Sequence, residues 1–402
     1  MSRLTRSITP ASRSLGLAAL TLWLIAACGG GAGGDLAGVG SGGTGTYSSG
    51  AISGYGSIVV NGVHYEEARA TVKGDDDANK RPQDLQLGMV VEVDAGDIRT
   101  DVSGRRNAEA RAIAVRSEIK GRITAISGDA TSGMLTVIDQ TVMTDAATVY
   151  GTGLPGFTAM ASGQIVEIYG FLREDGRYLA TRIEPESSAT SVFKLRGRLG
   201  NPGVDSFTIG DALIDASQVR ASLAGVAAGQ LVRVELASQQ DVQGRWRAIR
   251  LQTPSQPASS NREGRRVEIE GFVSGYQTGS SSFKVNDVMV DGSMTVLPDG
   301  LVNGSAVEVK GTLTNGVLVA REISLEDEED RAGEFELEGR ISALDKTMKT
   351  FVIRGTTVDY RSSPRFEDGS EADLVNGVKL EVKGRLDSDG TTVVAERIKF
   401  DD

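Results

Sequence analysis

The side chains that most often carry catalysis or bind metal ions are scarce in this chain of 402 residues. It contains one histidine, His64, and one cysteine, Cys28. A nucleophilic triad or a histidine-ligated metal site needs a histidine together with correctly placed partners. One histidine and one cysteine cannot form a conventional zinc, copper or haem site. We therefore expect no catalytic, metal-binding or cofactor-binding residue, and we interpret His64 as a solvent-facing residue of a β-strand.

Carboxylates are the remaining candidates for chemistry, because the chain has 54 aspartates and glutamates. The acidic runs at 75–77 and 326–330 lack the ligand spacing of an EF-hand calcium loop, so we interpret them as solvated loops. Three glutamates recur at the same position of a predicted strand: Glu167, Glu308 and Glu381. This recurrence is typical of side chains that alternate outward. A hydrolase with two converging carboxylates stays open as an alternative.

Cys28 lies directly after a segment with the layout of a secretory signal. Three arginines between residues 3 and 13 precede an apolar run at 15–27. A basic stretch, an apolar stretch and then small residues are typical of such a signal. The apolar run is shorter than the ~20 residues that cross a bilayer as a helix. Residues 25–28, Ile-Ala-Ala-Cys, resemble the lipobox of bacterial lipoproteins. That resemblance implies a signal peptide at 1–27 and lipid attachment at Cys28.

The lipobox resemblance also implies a location. Gly29 follows the cysteine, and in Gram-negative lipoproteins a residue other than Asp there usually permits sorting to the outer membrane. Residues 28–49 are rich in Gly and Ser, so we expect a flexible tether. A lipobox implies several acyl chains, which hold a protein stably to a membrane. We expect a cell-envelope protein that contacts the membrane through its N-terminal lipid.

The charge of the chain argues against nucleic acid as a partner. The formal net charge is −11, and removal of residues 1–27 with their three arginines makes it −14. Binding to phosphate backbones requires clustered Lys and Arg, and single-strand binders add aromatic side chains on which bases stack. The outward positions of the predicted strands hold no such platform. Trp246, the only tryptophan after residue 27, is interpreted as a core residue.

Five segments share one order of landmarks, and such a repeat is the primary signal for the fold. Each has a leading glycine within a strand: Gly50, Gly121, Gly197, Gly271 and Gly339. Each has a second glycine before an alternating strand: Gly88, Gly163, Gly229, Gly304 and Gly377. Each ends in a strand with an Ala-x-x-Ile signature. Four segments have Ala110/Ile113, Ala180/Ile183, Ala320/Ile323 and Ala395/Ile398. In the third segment we assign the signature to Trp246/Ile249, where tryptophan replaces the alanine.

Between its two glycines each segment predicts a β-hairpin. Asn61-Gly62, Gly210-Asp211 and Asn286-Asp287 suit a two-residue turn in which both residues adopt φ > 0. Ile138-Asp139 suits it poorly, so we predict a looser turn in the second segment. We number the hairpin positions one to eight, from Ile58 to Tyr65 in the first segment. Positions one, three, six and eight share one face, which we predict to be the core. Positions two and seven are predicted to point outward.

Each segment contains a first strand interrupted by a glycine, then a hairpin, then two further alternating strands. This order predicts a small, partly open barrel of five antiparallel strands. This pattern resembles the OB-fold. The unit resembles more closely the bacterial domain-of-unknown-function family 5666, which occurs in tandem in proteobacterial lipoproteins. That resemblance covers roughly residues 48–400 and implies no catalytic residues. The predicted fold class is all-β, with five tandem small five-stranded OB-like β-barrels behind a signal peptide and a flexible tether.

We predict that each unit closes its own separate core. The predicted boundaries are 50–117 for repeat 1, 118–188 for repeat 2, 192–253 for repeat 3, 264–326 for repeat 4 and 333–402 for repeat 5. The stretch at 254–263 is rich in Pro and Ser, and we interpret it as a hinge between repeats 3 and 4.

The sequence predicts a cellular location and a fold, but it does not predict a ligand. The leading hypothesis is a non-enzymatic structural or interaction module that engages envelope proteins or polysaccharide through repeated surfaces. One alternative is a small-ligand or oligosaccharide-binding protein that uses barrel-mouth loops, which predicts an aromatic-lined pocket in one repeat. The second alternative is an envelope hydrolase, which predicts two converging buried carboxylates in one repeat.

Overall fold

Short β-strands account for nearly all of the regular structure of the protein. A computed structural model describes residues 45–74, 78–129, 131–253, 263–327, 334–388 and 390–401. Repeat 1 contains β1 (Thr46–Ala51), β2 (Gly54–Tyr55), β3 (Ile58–Val60), β4 (Val63–Glu66), β5 (Thr71–Lys73), β6 (Asn79–Lys80), β7 (Val90–Ala95), β8 (Arg99–Thr100) and β9 (Arg106–Arg116). Repeat 2 contains β10 (Ile119–Gly128), β11 (Gly133–Val137), β12 (Gln140–Thr144), β13 (Val149–Tyr150), β14 (Ile165–Leu172) and β15 (Tyr178–Glu186).

The remaining repeats have the same layout of strands. Repeat 3 contains β16 (Val192–Gly200), β17 (Ser206–Ile209), β18 (Ala212–Asp215), β19 (Leu231–Gln240) and β20 (Trp246–Gln252). Repeat 4 contains β21 (Arg266–Ser274), β22 (Ser282–Val285), β23 (Val288–Asp291), β24 (Ala306–Thr314) and β25 (Val317–Leu325). Repeat 5 contains β26 (Phe335–Arg340), β27 (Ser342–Asp345), β28 (Thr350–Ile353), β29 (Thr356–Asp359), β30 (Arg365–Glu367), β31 (Lys379–Leu386) and β32 (Thr392–Phe400).

Within each repeat the strands pair in a closed ring. In repeat 2, β10 pairs with β11, β11 with β12, and β12 with β15, and β15 pairs with β14, which returns to β10. All of these ladders are antiparallel except β12–β15, which is parallel. The other repeats close through the equivalent parallel ladders β4–β9, β18–β20, β23–β25 and β29–β32. The predicted all-β fold of small OB-like barrels is confirmed.

The alanine of the final-strand signature marks the place where this ring closes. In repeat 2, Ala180 pairs with Gly170, and the residue two positions earlier, Tyr178, begins the parallel ladder. In repeat 3 the same position is held by Ala248, which pairs with Leu236. The interpretation of Trp246/Ile249 as the repeat 3 signature was therefore wrong by two residues. The pair is Ala248/Leu251, and Trp246 instead begins the parallel ladder, with a buried side chain.

The strand that pairs with the final strand is the fourth strand of each barrel: β7, β14, β19, β24 or β31. The residue on it that lies opposite this alanine decides whether the fourth strand continues. Where it is glycine, as at Gly170, Gly311 and Gly384, the strand bulges and the ladder then runs on. In repeat 1 the residue is Ala95, and β7 ends there. In repeat 3 it is Leu236, and pairing resumes only at Gln240. A Cβ atom at Gly170 would collide with the backbone of β15, so glycine is needed for an uninterrupted ladder.

The hairpin turns follow the sequence in most repeats. Asn61 and Gly62 adopt φ of 52° and 65°, as predicted for a two-residue turn. The looser turn predicted at Ile138-Asp139 is wrong, because these residues adopt φ of 49° and 58° and link directly paired strands. Ile138 is buried against Gly121, where a Cβ would lie 2.6 Å from its Cγ1. Packing against the leading glycine therefore overrides an unfavourable turn residue.

Buried apolar side chains between the barrels connect their cores, whereas the prediction was one separate core per unit. Repeats 2 and 3 share one apolar cluster. Repeats 1 and 5 share a second, which includes Tyr55 and Phe351. Repeat 4 has its own cluster, which Tyr47 of repeat 1 joins. The cause is that first strands of neighbouring barrels pair, so apolar side chains beside them are buried between barrels as well as within them.

Three short ladders join neighbouring barrels, and we call each such contact between two barrels a joint. β1 pairs in parallel with β21 over four residue pairs, β2 pairs in parallel with β26 over two, and β10 pairs antiparallel with β16 over two. Repeat 4 is therefore held against repeat 1 directly. The predicted hinge residues 254–262 lie outside the described part of the chain.

In the part of the chain that the structure describes, helical structure is confined to single turns. α1 (Arg220–Leu223) lies between β18 and β19, and 3₁₀ turns occur at Pro82–Asp84, Phe157–Ala159 and Glu371–Asp373. Among the described residues, none of the helices has the length and apolar character needed to span a membrane.

Candidate functional site

Several residues singled out from the sequence lie outside the described part of the chain. These are Cys28, the acidic run at 75–77 and residues 328–330 of the second acidic run. Lipid attachment at Cys28 therefore stays a prediction. Within the described residues, no group of three or more His, Cys, Asp or Glu side chains is arranged to hold a metal ion.

His64 does not face solvent, which corrects its interpretation as an exposed strand residue. Its exposed fraction is 7%, because repeat 5 covers the outer face of the repeat 1 hairpin. Arg105 Nη2 donates a hydrogen bond to His64 Nδ1 at 2.8 Å, and His64 Nε2 lies 3.7 Å from Glu336 Oε2. Burial lowers the pKa of His64, Glu336 opposes that shift, and Arg105 adds to it.

Ser57, His64 and Glu336 are the residue types of a nucleophilic triad, but their geometry does not suit one. Ser57 Oγ lies 3.3 Å from His64 Nδ1, the atom that Arg105 already occupies as a donor. The 3.7 Å from His64 Nε2 to Glu336 is too long for the orienting hydrogen bond that a triad requires. Ser57 is buried, so a substrate cannot reach its hydroxyl. This cluster joins repeats 1 and 5.

The recurrent glutamates point out of their barrels, as predicted, and two of them pair with cations of their own repeat. Glu381 pairs with Arg397 and Glu308 with Lys310. Strand register places Glu308 opposite Glu270, with Glu268 two residues away on the same strand. Burial is the main cause that raises the pKa of both Glu268 and Glu308, and the charge of Glu308 adds to the shift of Glu268. The hydrolase alternative requires such a pair to be open to a substrate. Glu268 is only 1% exposed and pairs with Arg106 of repeat 1, so the pair is enclosed in a joint.

A cleft lies where repeats 1, 2 and 3 meet. Its volume is about 280 Å³. The charged residues that line it are Lys80, Lys120, Glu167, Lys194, Arg233 and Glu235. Its apolar wall includes Val115, Tyr169, Val192 and Phe193. Repeats 2 and 3 line the cleft with their first and fourth strands, and repeat 1 contributes Lys80 of β6, Val115 of its final strand β9, and Ser117.

Strand register places four of these charges in one row across two barrels. Glu167 of β14 pairs with Lys120 of β10, Lys120 pairs with Lys194 of β16, and Lys194 pairs with Glu235 of β19. Two lysines thus stand directly opposite each other at the joint between repeats 2 and 3. Like charges in this position destabilise a sheet unless a counter-charge separates them.

Glu167 supplies that counter-charge. Its Oε1 lies 2.9 Å from Lys194 Nζ and its Oε2 lies 3.3 Å from Lys120 Nζ. Ser117 Oγ donates a further hydrogen bond to Oε1 at 2.7 Å. Burial raises the pKa of Glu167, but Lys194 and Lys120 outweigh burial and set the pKa at about 2. Glu167 is therefore ionised at neutral pH, and one carboxylate is shared by two ammonium groups.

Apart from Glu167, which was singled out as a recurrent strand residue, the cleft residues were missed from the sequence because no single repeat contains them all. A usable signal exists in the first strands, whose charge differs between repeats. Those of repeats 2 and 3 carry only cations over 119–122 and 192–198, and those of repeats 4 and 5 are rich in glutamate over 266–270 and 334–338. Because first strands form the joints, this contrast predicts which joints are electropositive.

The fold and its joints define a tandem array of OB-like barrels. The chain belongs to the family described as Domain of unknown function (DUF5666), whose model matches residues 47–97, 120–184, 270–324 and 338–399. These stretches fall in repeats 1, 2, 4 and 5, and β16–β20 of repeat 3 form the same ring outside them.

No curated protein matches the sequence. Among solved structures, one similar chain is titled "drosophila Unr CSD456". It is 12% identical, the alignment covers 53% of this chain and 98% of that chain, and the TM-score is 0.14. A TM-score this low carries no argument about fold or function.

Proposed function

We propose that this protein is a lipid-anchored protein of the cell envelope whose barrels form a non-enzymatic interaction scaffold. The observation that carries the scaffold role is the pairing of charged groups across barrel boundaries, with one buried partner in each pair. Arg265 Nη1 of repeat 4 lies 2.7 Å from Asp94 Oδ2 of repeat 1, and Arg354 of repeat 5 pairs with Glu67 of repeat 1 at 3.4 Å. Such joints favour a fixed arrangement of surfaces, which suits binding to an envelope protein or polysaccharide.

The lipid anchor is supported by the sequence around Cys28. A basic stretch, an apolar run and the lipobox-like Ile-Ala-Ala-Cys precede a Gly- and Ser-rich stretch. With Gly29 after the cysteine, the proposed location is the outer membrane of a Gram-negative bacterium. The tether would allow the barrels to reach partners away from the membrane surface.

Metabolic labelling tests the anchor. We expect cells fed a lipid precursor to label this protein, and Cys28→Ser to abolish the label, because the serine variant lacks the thiol that accepts the lipid. Ser41→Ala is the matched control, since it changes a hydroxyl residue of the tether and leaves Cys28 intact. Label retained in the Cys28→Ser variant would reject the anchor.

Small-ligand binding is the second candidate function, and one observation favours it. The cleft between repeats 1, 2 and 3 combines a concave shape, convergent charged groups and an apolar wall, which are the usual features of a ligand site. This cleft differs from the barrel-mouth pocket that the sequence predicted for such a function.

A further inference from the structure

We propose that the cleft between repeats 1, 2 and 3 binds the oxyanion group, phosphate or carboxylate, of a small acidic ligand. This inference goes beyond the scaffold role and does not depend on the lipid anchor. Four cations and two carboxylates line the cleft: Lys80, Lys120, Lys194, Arg233, Glu167 and Glu235. The lining therefore has an excess of two positive charges. Glu186 and Arg250 pair with lining residues, and counting them leaves the same excess.

This local charge has the opposite sign to that of the whole chain, which is −11. A cleft lined by one excess charge and enclosed by protein concentrates the field and attracts counter-ions. The repeat 4 and repeat 5 first strands are acidic over the corresponding stretches. The positive excess is thus a property of this joint and not of the repeat in general.

The Lys120–Lys194 pair is the strongest sign of a function. A joint that served only to hold two barrels together would be more stable with opposite charges in register. Here two lysines face each other across the joint and share Glu167. A local conflict kept within an otherwise consistent fold is typical of a binding site. Glu186 also pairs with Lys120 and Glu235 stands opposite Lys194, so the excess positive charge that an anion in the cleft would meet comes from Lys80 and Arg233 as well as from this pair.

Arg233 gives a second, independent indication. It lines the cleft, is 8% exposed, and its Nε has no hydrogen-bond partner among the described residues. Its Nη2 lies 3.6 Å from Glu235 Oε1, which is too long for a strong hydrogen bond. The Nε atom is itself enclosed, so a ligand in the cleft would contact the guanidinium through its Nη groups, for which Glu235 is a distant partner. A phosphate or carboxylate oxygen is the acceptor that an arginine fork fits best.

Size limits the ligand. The volume of about 280 Å³ lies at the lower end of the range for small-molecule sites. Val192, 40% exposed, offers an apolar contact beside the charges. An anionic group on a ligand no larger than a single sugar unit fits both features.

Calorimetric titration of the full-length protein in detergent micelles tests the proposal. The probes are inorganic phosphate, glucose 6-phosphate, glucuronate and neutral glucose, at constant low ionic strength. We expect at least one anionic probe to bind more tightly than glucose, and Lys80→Ala to weaken that probe about tenfold by removing one charge-assisted contact. Lys284→Ala, at an exposed lysine of repeat 4, should leave binding unchanged. Which probe binds identifies the group: phosphate alone, phosphate on a sugar, or carboxylate.

A second measurement separates binding from folding. Glu167→Gln removes the carboxylate that competes with the ligand, so phosphate should raise the Tm of this variant by more than it raises that of the wild type. The proposal is overturned if no anionic probe binds more tightly than glucose. It is equally overturned if Lys80→Ala and Lys284→Ala weaken binding to the same degree.

Discussion

Replacing Gly170 with alanine is expected to lower the free energy of unfolding by about 3 kcal/mol. A Cβ at this position would lie 2.9 Å from the carbonyl carbon of Leu179 and 3.0 Å from Cα of Ala180, and closer still to the Leu179 carbonyl oxygen. These atoms belong to the backbone of β15, so they cannot rotate away as a side chain would. We therefore expect β14 to lose its pairing with β15 beyond residue 170.

Urea denaturation measures this effect, and Gly96→Ala is the matched control. Gly96 has no positive φ, and its nearest neighbour to a Cβ is 3.8 Å away. The control should change stability by no more than about 0.5 kcal/mol, as is usual for an unconstrained surface site. Equal unfolding midpoints for the two variants would show that the bulge does not require glycine.

Glu167→Gln is expected to destabilise the joint between repeats 2 and 3 by about 3 kcal/mol, the usual cost of breaking a buried ion pair from one side. The substitution removes the one carboxylate that contacts both Lys120 and Lys194, and Lys120 keeps, among the described residues, only its ion pair with Glu186. The matched rescue is the double variant Glu167→Gln, Lys194→Met, which removes one lysine and keeps its apolar stem. Thermal unfolding at pH 7 should show most of the stability restored in the double variant.

The same carboxylate gives a pH dependence of defined sign. The pKa of Glu167 is about 2 in the folded protein, against 4.5 for an unperturbed glutamate. Its contribution to stability is therefore complete above pH 4.5 and is lost as the pH falls from 4.5 towards 2. Glu167→Gln should lack this acid-sensitive component. A variant as stable as the wild type at pH 7, with the same acid transition, would contradict the account.

The order of the strands within each barrel could be predicted from the sequence, but the contacts between barrels could not. Period-two strands, the hairpin turns and the final-strand alanine are local signals, so the ring of each barrel could be derived from them. The misplaced signature at Trp246 shows the limit of that approach. Repeat 3 has Leu236 in place of the bulge glycine and Leu251 in place of the signature isoleucine, so Ile249 was aligned with the isoleucine of the other repeats and Trp246 with their alanine.

The outward-facing side chains were misjudged for a different reason. His64 and Glu167 stand at positions that a single barrel exposes to solvent, and a neighbouring barrel covers each of them. Such burial depends on contacts between residues far apart in the chain, such as His64 with Glu336. No periodicity within one repeat reports it. Ile138 was misjudged likewise, because its packing against Gly121 outweighs its poor turn propensity.

Each barrel is closed by its own ring of strands, and contacts between the barrels hold them in a fixed arrangement. Repeats 3 and 4 test it best, because the chain between them includes the predicted hinge, and Arg198 of repeat 3 forms an ion pair with Asp287 of repeat 4. We would replace these two residues with cysteine in a Cys28→Ser background and measure the rate of cross-linking by a short bismaleimide. The account predicts rapid intramolecular cross-linking in buffer and a much slower reaction in urea. A rate in buffer no faster than in urea would show that the two barrels move independently, and would contradict it.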